Sequence, residues 1–588
     1  MNNFWKFFLA ALLACLVAFG LFFFIMIGSL GAAVAGGSAK TAIVPPTSIL
    51  KIDFSTPISE RGQSSFSISS LSSLSNLSME EGMPLLTAVR AIDAAANDPG
   101  VKFIYLNTDK MALSMSCAEE LRQALTRFHE SGKAIVAYAN SYDNLSYYIA
   151  SVADKVIINS YGEAMLNGVS TNLTFYKDLL DKLGVDIQLI RHGKYKSAGE
   201  QFTQNHLTDA NREQNQELVN SIWATLAEEI AASRDFTADQ LNGWIDNLEL
   251  LDAQTLLDRG IVDQAWYKDE LENYLCTLFD VKEAKDLKFA DLNSDAIAKV
   301  IDNTKVKDKI AVLYADGEIV MDGNADQNIV GDDLARKFKK LQEDSTVKAI
   351  VFRVNSPGGS AQAAELINRA MLNAKAYKPV IASYGGYAAS GGYWISSNAD
   401  YIITDNTTLT GSIGVFSLVP NIGGGLDKTL HVKTASVGSH KHSDMMGGMR
   451  KLDDAEVAYM QKMVENIYTE FTSLVSRGRR MPVEQVDEIG QGRVWTGRDA
   501  LTIGLADAKG SLMDAINYAA AKVGLEKYKI TVVPEQKSMF EQMMSQFSGN
   551  NEEDGIAIKT GIKQVDQFLD VLDDPQMMYA RMPYVYEF

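Results

Sequence analysis

A chain of 588 residues exceeds what a single hydrophobic core organises, so two or more folded units are expected. Apolar residues at 46% and charged residues at 22% are globular proportions and exclude a largely disordered chain. A net charge of −19 argues against nucleic acid as the main partner, because phosphate binding needs basic surface.

The predicted elements begin with a long apolar run. Phe7 to Ile27 is almost entirely apolar, and no charged residue occurs from Phe7 to Gly37. About 20 such residues span a bilayer core as a helix. Lys6 precedes the run, which keeps the N-terminus cytoplasmic and sends the rest across. Ala33-Val34-Ala35 fits a cleavage site, but a secretory apolar segment is shorter, so residues 1–40 are read as an uncleaved membrane anchor with its linker. Cys15 falls in this run; Cys117 and Cys276 match no metal-ligand spacing and are read as buried thiols.

After Pro45 and Pro46, Ile49 to Phe54 alternates like a strand, and a similar start recurs at Ile310 to Tyr314. The chain between and beyond these points repeats itself. Ala118-Glu119-Glu120-Leu121 matches Ala363-Ala364-Glu365-Leu366, 245 residues on. Ala134 to Asn159 lies against Val380 to Asp405 without a gap, pairing Tyr138 with Tyr384, Tyr147 with Tyr393 and Asp154 with Asp400. Gly260-Ile261-Val262-Asp263 matches Gly504-Leu505-Ala506-Asp507, 244 residues on. A shift held this constant over three blocks indicates two tandem copies of one domain, residues 45–295 and 305–545, followed by a tail at 546–588.

Each copy reads as α/β. In the second, Lys348 to Val354 is a short strand, Ala361 to Ala376 a helix, Pro379 to Tyr384 a strand, Tyr393 to Asn398 a short helix and Tyr401 to Thr404 a strand. Such alternation implies parallel pairing. Glu213 to Ser233 and Asp453 to Arg480 are long amphipathic helices, and Lys282 to Lys309, rich in Lys and Asp, reads as a surface connector.

Two turns of the second copy carry chemical potential. Asn355-Ser356-Pro357-Gly358-Gly359-Ser360 joins a strand to a helix, where free amides and glycines suit an oxyanion hole or a plain tight turn. Gly385 to Gly392 sets Ser390 among small residues at a strand-to-helix turn, in the manner of a nucleophile elbow, with the Gly391 amide beside it. In the first copy Asn144, Leu145 and Ser146 replace Ser390, Gly391 and Gly392, and Asn107 to Met111 replaces Asn355 to Gly359. Both turns are degraded together while the scaffold pattern remains, as loss of catalysis in one copy would produce. A serine nucleophile needs a base. None of the six histidines sits in a triad-like motif; His440 and His442 would share one face of a strand, and composition alone cannot choose a lysine among 55 Lys and Arg residues.

Tyr387-Ala388-Ala389-Ser390-Gly391-Gly392-Tyr393-Trp394, the Asn355 to Ser360 turn, Asp143 to Tyr148 and Gly193-Lys194-Tyr195-Lys196-Ser197-Ala198 together resemble the long, tandem form of the signal peptide peptidase A family, over nearly the whole chain to about Lys527. That resemblance implies two Clp protease/crotonase-like domains of repeated ββα units behind a transmembrane helix. It implies Ser390 as nucleophile and Lys196, from the other copy, as general base. It further implies Ser412, in Thr410 to Gly414, as the residue that orients the lysine, and the amides of Gly391, Gly358 and Gly359 as oxyanion donors. Lys441, near the second-copy position equivalent to Lys196, is the alternative base, since single-copy relatives place theirs in that region. No cofactor or metal is implied. The implied partners are hydrophobic peptides, namely cleaved signal peptides, the cytoplasmic membrane with the catalytic domains on its outer side, and further copies of the chain in a tetramer. A crotonase-type acyl-CoA enzyme and a non-catalytic membrane scaffold are the competing readings.

Overall fold

The computed structural model describes residues 47–62, 82–292, 306–535, 578–582 and 584. The expected anchor at residues 1–40 lies outside the described residues. Among the described residues no helix is long and apolar enough to cross a membrane.

The first copy is built on a parallel sheet. Its elements are β1 (Ser48–Ile52), α1 (Leu85–Asn97), β2 (Val101–Asn107), α2 (Met115–Glu130), β3 (Ile135–Ala139), α3 (Asn144–Ala150), β4 (Lys155–Ile158), β5 (Asp186–His192), α4 (Asp209–Ser233), β6 (Gln264–Ala265), α5 (Lys268–Phe279) and β7 (Phe289–Asp291). The sheet order is β6-β4-β3-β2-β1-β7. Its strands are runs such as Ile135 to Ala139, buried on both faces as a parallel sheet requires. The hydroxyl of Ser114 accepts from Cys117 N and starts α2.

The second copy continues with β8 (Lys309–Asp316), β9 (Ile319–Val320), β10 (Ile329–Val330), α6 (Gly331–Glu343), β11 (Val347–Ser356), β12 (Gly358–Ser360), α7 (Ala361–Lys375), β13 (Val380–Ala389) and α8 (Gly391–Trp394). After these come β14 (Tyr401–Thr404), β15 (Leu409–Gly411), β16 (Val415–Asn421), α9 (Asp454–Arg479), β17 (Val494–Thr496), α10 (Leu512–Lys522), β18 (Lys529–Val533) and β19 (Tyr579–Arg581). The main sheet runs β17-β15-β13-β11-β8-β18, with β14 beside β13 and next to residues 508–509. From β18 to β14 this repeats the order β7-β1-β2-β3-β4 of the first copy.

Tertiary hydrogen bonds repeat as well. The Tyr147 hydroxyl donates to Ile261 O at 2.6 Å, and that of Tyr393 to Leu505 O at 2.9 Å. Asp154 accepts from Ile135 N at 2.7 Å, and Asp400 from Val380 N at 2.9 Å. Asp263 accepts from Val156 N and Asp507 from Ile402 N, at 2.6 and 2.8 Å.

These bonds correct the alignment by one residue along the strand. Ile135, not Ala134, is the counterpart of Val380, so Tyr138 and Tyr384 are not equivalent. Tyr138 faces the α5 side and Tyr384 the side of α6 and α7. The match returns to 246 by Tyr147 and Tyr393, so the second copy carries one extra residue between the strand and the helix, in the stretch that holds Ser390. A second correction concerns Lys282 to Lys309. This segment is not only a connector, because β7 within it closes the first sheet beside β1 as β18 does beside β8. The helix expected at Tyr393 to Asn398 begins earlier and is a single turn, α8.

The copies are joined through buried polar contacts. Arg353 on β11 is fully buried and meets Glu60 and Glu120 of the first copy, each at 2.6 Å. Glu119 accepts from Asn406 N, Thr407 N and the Thr407 hydroxyl. A mixed sheet, β10-β9-β12-β19-β16-β5, also crosses the boundary: β5 of the first copy pairs antiparallel with β16 of the second over seven residues, from Asp186↔Asn421 to His192↔Val415.

Candidate active site

Ser390 sits where β13 ends and α8 begins, with φ 56° and ψ −113°. A non-glycine residue there carries strain of about 1–3 kcal/mol and persists only where its surroundings fix it. Ser390 N donates to Gly411 O at 2.8 Å, and Ser390 O accepts from Trp394 N at 2.8 Å, so both ends of the residue are clamped. The small neighbours have a steric reason: a Cβ on Gly392 would lie 2.6 Å from Ser356 O.

Lys196 reaches this turn from the other copy. The β5–β16 pairing carries the chain to Gly193, whose φ of 111° turns it against Gln491. Tyr195 N then donates to Gln491 O at 2.8 Å. Gly492 lies so close that a Cβ there would be 2.5 Å from Lys196 Cβ, and one on Gly414 would be 3.1 Å from Lys196 Cδ. Behind the lysine, Arg191 donates to Lys196 O at 2.7 Å and is held by buried Glu200 at 2.8 Å.

The amine of Lys196 lies 2.9 Å from Ser390 Oγ, 3.0 Å from Ser412 Oγ and 3.1 Å from Ser412 O. All three residues are fully buried. Burial without a facing carboxylate holds the lysine well below its ordinary pKa, because desolvation penalises the ammonium. A neutral amine has two N–H groups and one lone pair, and the site matches that count. The Ser412 hydroxyl points its own proton at Gly492 O, 3.4 Å away. With two N–H groups donated to Ser412 O and Ser412 Oγ, a neutral Lys196 has its lone pair left for Ser390 Oγ. Ser412 adopts φ 49° and is anchored by donation of its amide to Arg493 O at 2.7 Å.

The three glycines expected to stabilise an oxyanion converge beside this pair. A Cβ on Gly358 would lie 2.7 Å from Gly391 N, and one on Gly391 would lie 3.2 Å from Gly359 N. Gly358 and Gly359 have φ of 103° and 153°, conformations that only glycine adopts without strain. The Gly358 amide already donates to Ser356 Oγ at 3.2 Å.

Lys441 stands elsewhere, exposed in the loop between residues 429 and 453. His440 and His442 are in that loop rather than on a strand, and His442 meets Glu456 at 2.8 Å. Cys117 and Cys276 are free and buried. Gly492, Gly414, Arg191 and Glu200 escaped the sequence reading. The glycines of Gln491-Gly492-Arg493 and Ile413-Gly414 were the only available signal, and nothing local ties them to a lysine more than 200 residues away.

Comparison with known proteins agrees with the repeat. The model of peptidase family S49 matches residues 127–282 and 373–526, once in each copy, and together these segments span more than half of the chain. The chain belongs to peptidase family S49. The Clp protease family model matches residues 301–405. Among S49-type relatives, Protease 4 of Haemophilus influenzae is 34% identical over 463 residues, covering 76% of this chain and 74% of that protein. Protease 4 of Salmonella typhi is 33% identical over 476 residues, covering 79% and 76%. The chloroplastic serine protease SPPA of Arabidopsis thaliana is 30% identical over 454 residues, covering 75% and 66%. The chain is thus a serine endopeptidase of the S49 family, with two S49 domains and a Clp protease-like α/β fold.

Proposed function

We propose that Ser390 and Lys196 form a nucleophile–base pair split between the two copies, and that the chain is a membrane-anchored peptidase that degrades signal peptides after their release from preproteins. The observation that carries the reading is the contact between a desolvated amine and a strained serine hydroxyl, 2.9 Å apart and free of bulk water.

Neutral Lys196 takes the Ser390 proton as Oγ attacks the scissile carbonyl carbon, and the carbonyl π electrons move to oxygen. Amides at Gly391 and the Gly358-Gly359 turn hold that oxyanion. Collapse breaks the C–N bond, and Lys196 returns its proton to the leaving amine, which leaves an ester on Ser390. Water, deprotonated by the same amine, attacks the ester and releases the acid and free Ser390. Ser412 positions the lysine through both its carbonyl and its hydroxyl.

An anchor in residues 1–40 is supported by the apolar run from Phe7 to Ile27, and signal peptides as substrates, catalytic domains on the outer face of the cytoplasmic membrane and a homotetramer by the family resemblance. The test is hydrolysis by the full chain in detergent micelles of synthetic signal peptides against charged peptides of equal length, with Ser390→Ala as control. Preferential cleavage of the apolar peptides by the Ser390 form alone is expected. Equal cleavage of both sets would remove the substrate assignment.

A further inference from the structure

The side chain of Asn355, near the end of β11, bridges two other strands. Its Nδ2 donates to Asp316 Oδ1 at 2.8 Å, at the end of β8. Its Oδ1 accepts from Tyr387 N at 3.1 Å, on β13 and three residues before Ser390. Its own carbonyl accepts from Gly317 N at 3.0 Å.

β13 bulges at this point. Val354 lies opposite Tyr384 and Ser356 opposite Ala388, so two steps along β11 face four along β13. Extra residues in one strand break the ladder and bend the chain. The bulge is packed around Asn355: a Cβ on Gly385 would lie 3.2 Å from Asn355 Cβ, and one on Gly386 3.4 Å from Asn355 Oδ1. It lies in the stretch where the second copy carries its extra residue. Beyond it, Tyr387, Ala388 and Ala389 pair with Leu409, Thr410 and Gly411, the residues that lead into Ser412. The bulge therefore sets how far β13 advances along β15, and with it where Ser390 stands relative to Ser412 and the lysine that Ser412 holds.

The orientation of the Asn355 amide follows from its partner. Burial raises the Asp316 carboxyl to about 6, so at pH 8 it is ionised and can only accept. The NH2 of Asn355 must face it, which leaves the amide oxygen for Tyr387 N.

We propose that Asn355 is a positioning residue for the nucleophile. Its backbone leads into the Gly358-Gly359 turn and its side chain holds the bulge before Ser390, so one residue sets the nucleophile against the oxyanion donors, with Asp316 fixing its amide. The proposal rests on the reading of Ser390 and Lys196 as the hydrolytic pair.

The experiment exchanges the two bridge residues in the full chain and measures kcat and KM with a chromogenic peptide at pH 8. Asn355→Asp sets two carboxylates face to face and should lower kcat about 100-fold with KM unchanged, the pattern of a misplaced reacting group. Asp316→Asn should cost less, because an amide can still present an oxygen to Asn355. Combining Asn355→Asp with Asp316→Asn restores one donor and one acceptor across the bridge and should recover most of the lost kcat. Asn355→Ala, which buries no new charge, is the second variant and should also lose kcat. Hydrogen–deuterium exchange read by mass spectrometry needs no catalysis: in Asn355→Ala, exchange should quicken over residues 385–392 and not across the rest of the sheet. A kcat that neither Asn355→Asp nor Asn355→Ala lowers, a loss that falls on KM alone, or a combined variant no better than Asn355→Asp would overturn the proposal. Faster exchange confined to 385–392 with no hydrolysis by any form would support the bridge and contradict the peptidase reading.

Discussion

Lys196 Nζ and Ser390 Oγ lie 2.9 Å apart although 194 residues separate them, and they belong to different copies of the repeated domain. The first copy lost the glycine turn and the serine but keeps a lysine that the β5–β16 pairing delivers across the boundary. Neither copy holds the pair alone.

The pH dependence of activity follows from the burial of that lysine. Its pKa is held well below the ordinary 10.5, and in the proposed mechanism the neutral form is the base. Hence kcat/KM should rise with pH along a one-proton limb centred well below 10.5 and then level off. A pH–rate profile with a chromogenic peptide checks this, and Ser412→Ala should lower the plateau about tenfold without removing it, because Ser412 O still holds the amine.

Stability should respond to the same residue with a defined sign. Between the lowered folded pKa and 10.5, the unfolded chain binds a proton that the folded chain lacks, so folding stability rises with pH through that window. Lys196→Met removes the burden. The variant should melt above the unsubstituted protein at pH 7, and the gap should narrow as pH approaches 10.5. Calorimetry at pH 7 and pH 10 measures the difference.

Gly492 sets the lysine's place. A methyl group there would meet Lys196 Cβ at 2.5 Å and the Lys196 backbone at 2.6–2.7 Å, and its φ of 79° disfavours any side chain. Gly492→Ala should lower kcat/KM about 100-fold through displacement of the amine, because a shift of about 1 Å in a reacting group costs that much. Circular dichroism should show the fold retained.

The Arg353 cluster fastens the copies together. Arg353→Met would leave Glu60 and Glu120 buried without their cation, at a cost of about 3–5 kcal/mol. Urea unfolding monitored by tryptophan fluorescence should show the midpoint fall by the corresponding amount, with loss of peptidase activity in parallel as the copies separate.

Much of this was legible in the sequence for physical reasons. Buried parallel strands read as short apolar runs, so Tyr401 to Thr404 matched β14 residue for residue. The glycine turns were visible because close backbone approach admits no other residue. What lay beyond reach was non-local. The one-residue offset at Tyr138 and Tyr384 came from hydrogen bonds to Asp154 and Asp400, which no local pattern encodes. Lys196 could be named only through a family resemblance, since its depressed pKa arises from burial by segments hundreds of residues away. The tail was unreadable because β19 is three residues long and takes its strand form from β12 and β16.

The split Ser390–Lys196 pair is tested most directly by kcat/KM for one peptide substrate with Ser390→Ala, Lys196→Ala and Lys441→Ala side by side. The first two should each lose at least about 1,000-fold, as removal of either half of a nucleophile–base unit does, and Lys441→Ala should match the unsubstituted protein. Full activity in Lys196→Ala together with loss in Lys441→Ala would contradict the account and place the base in the second copy.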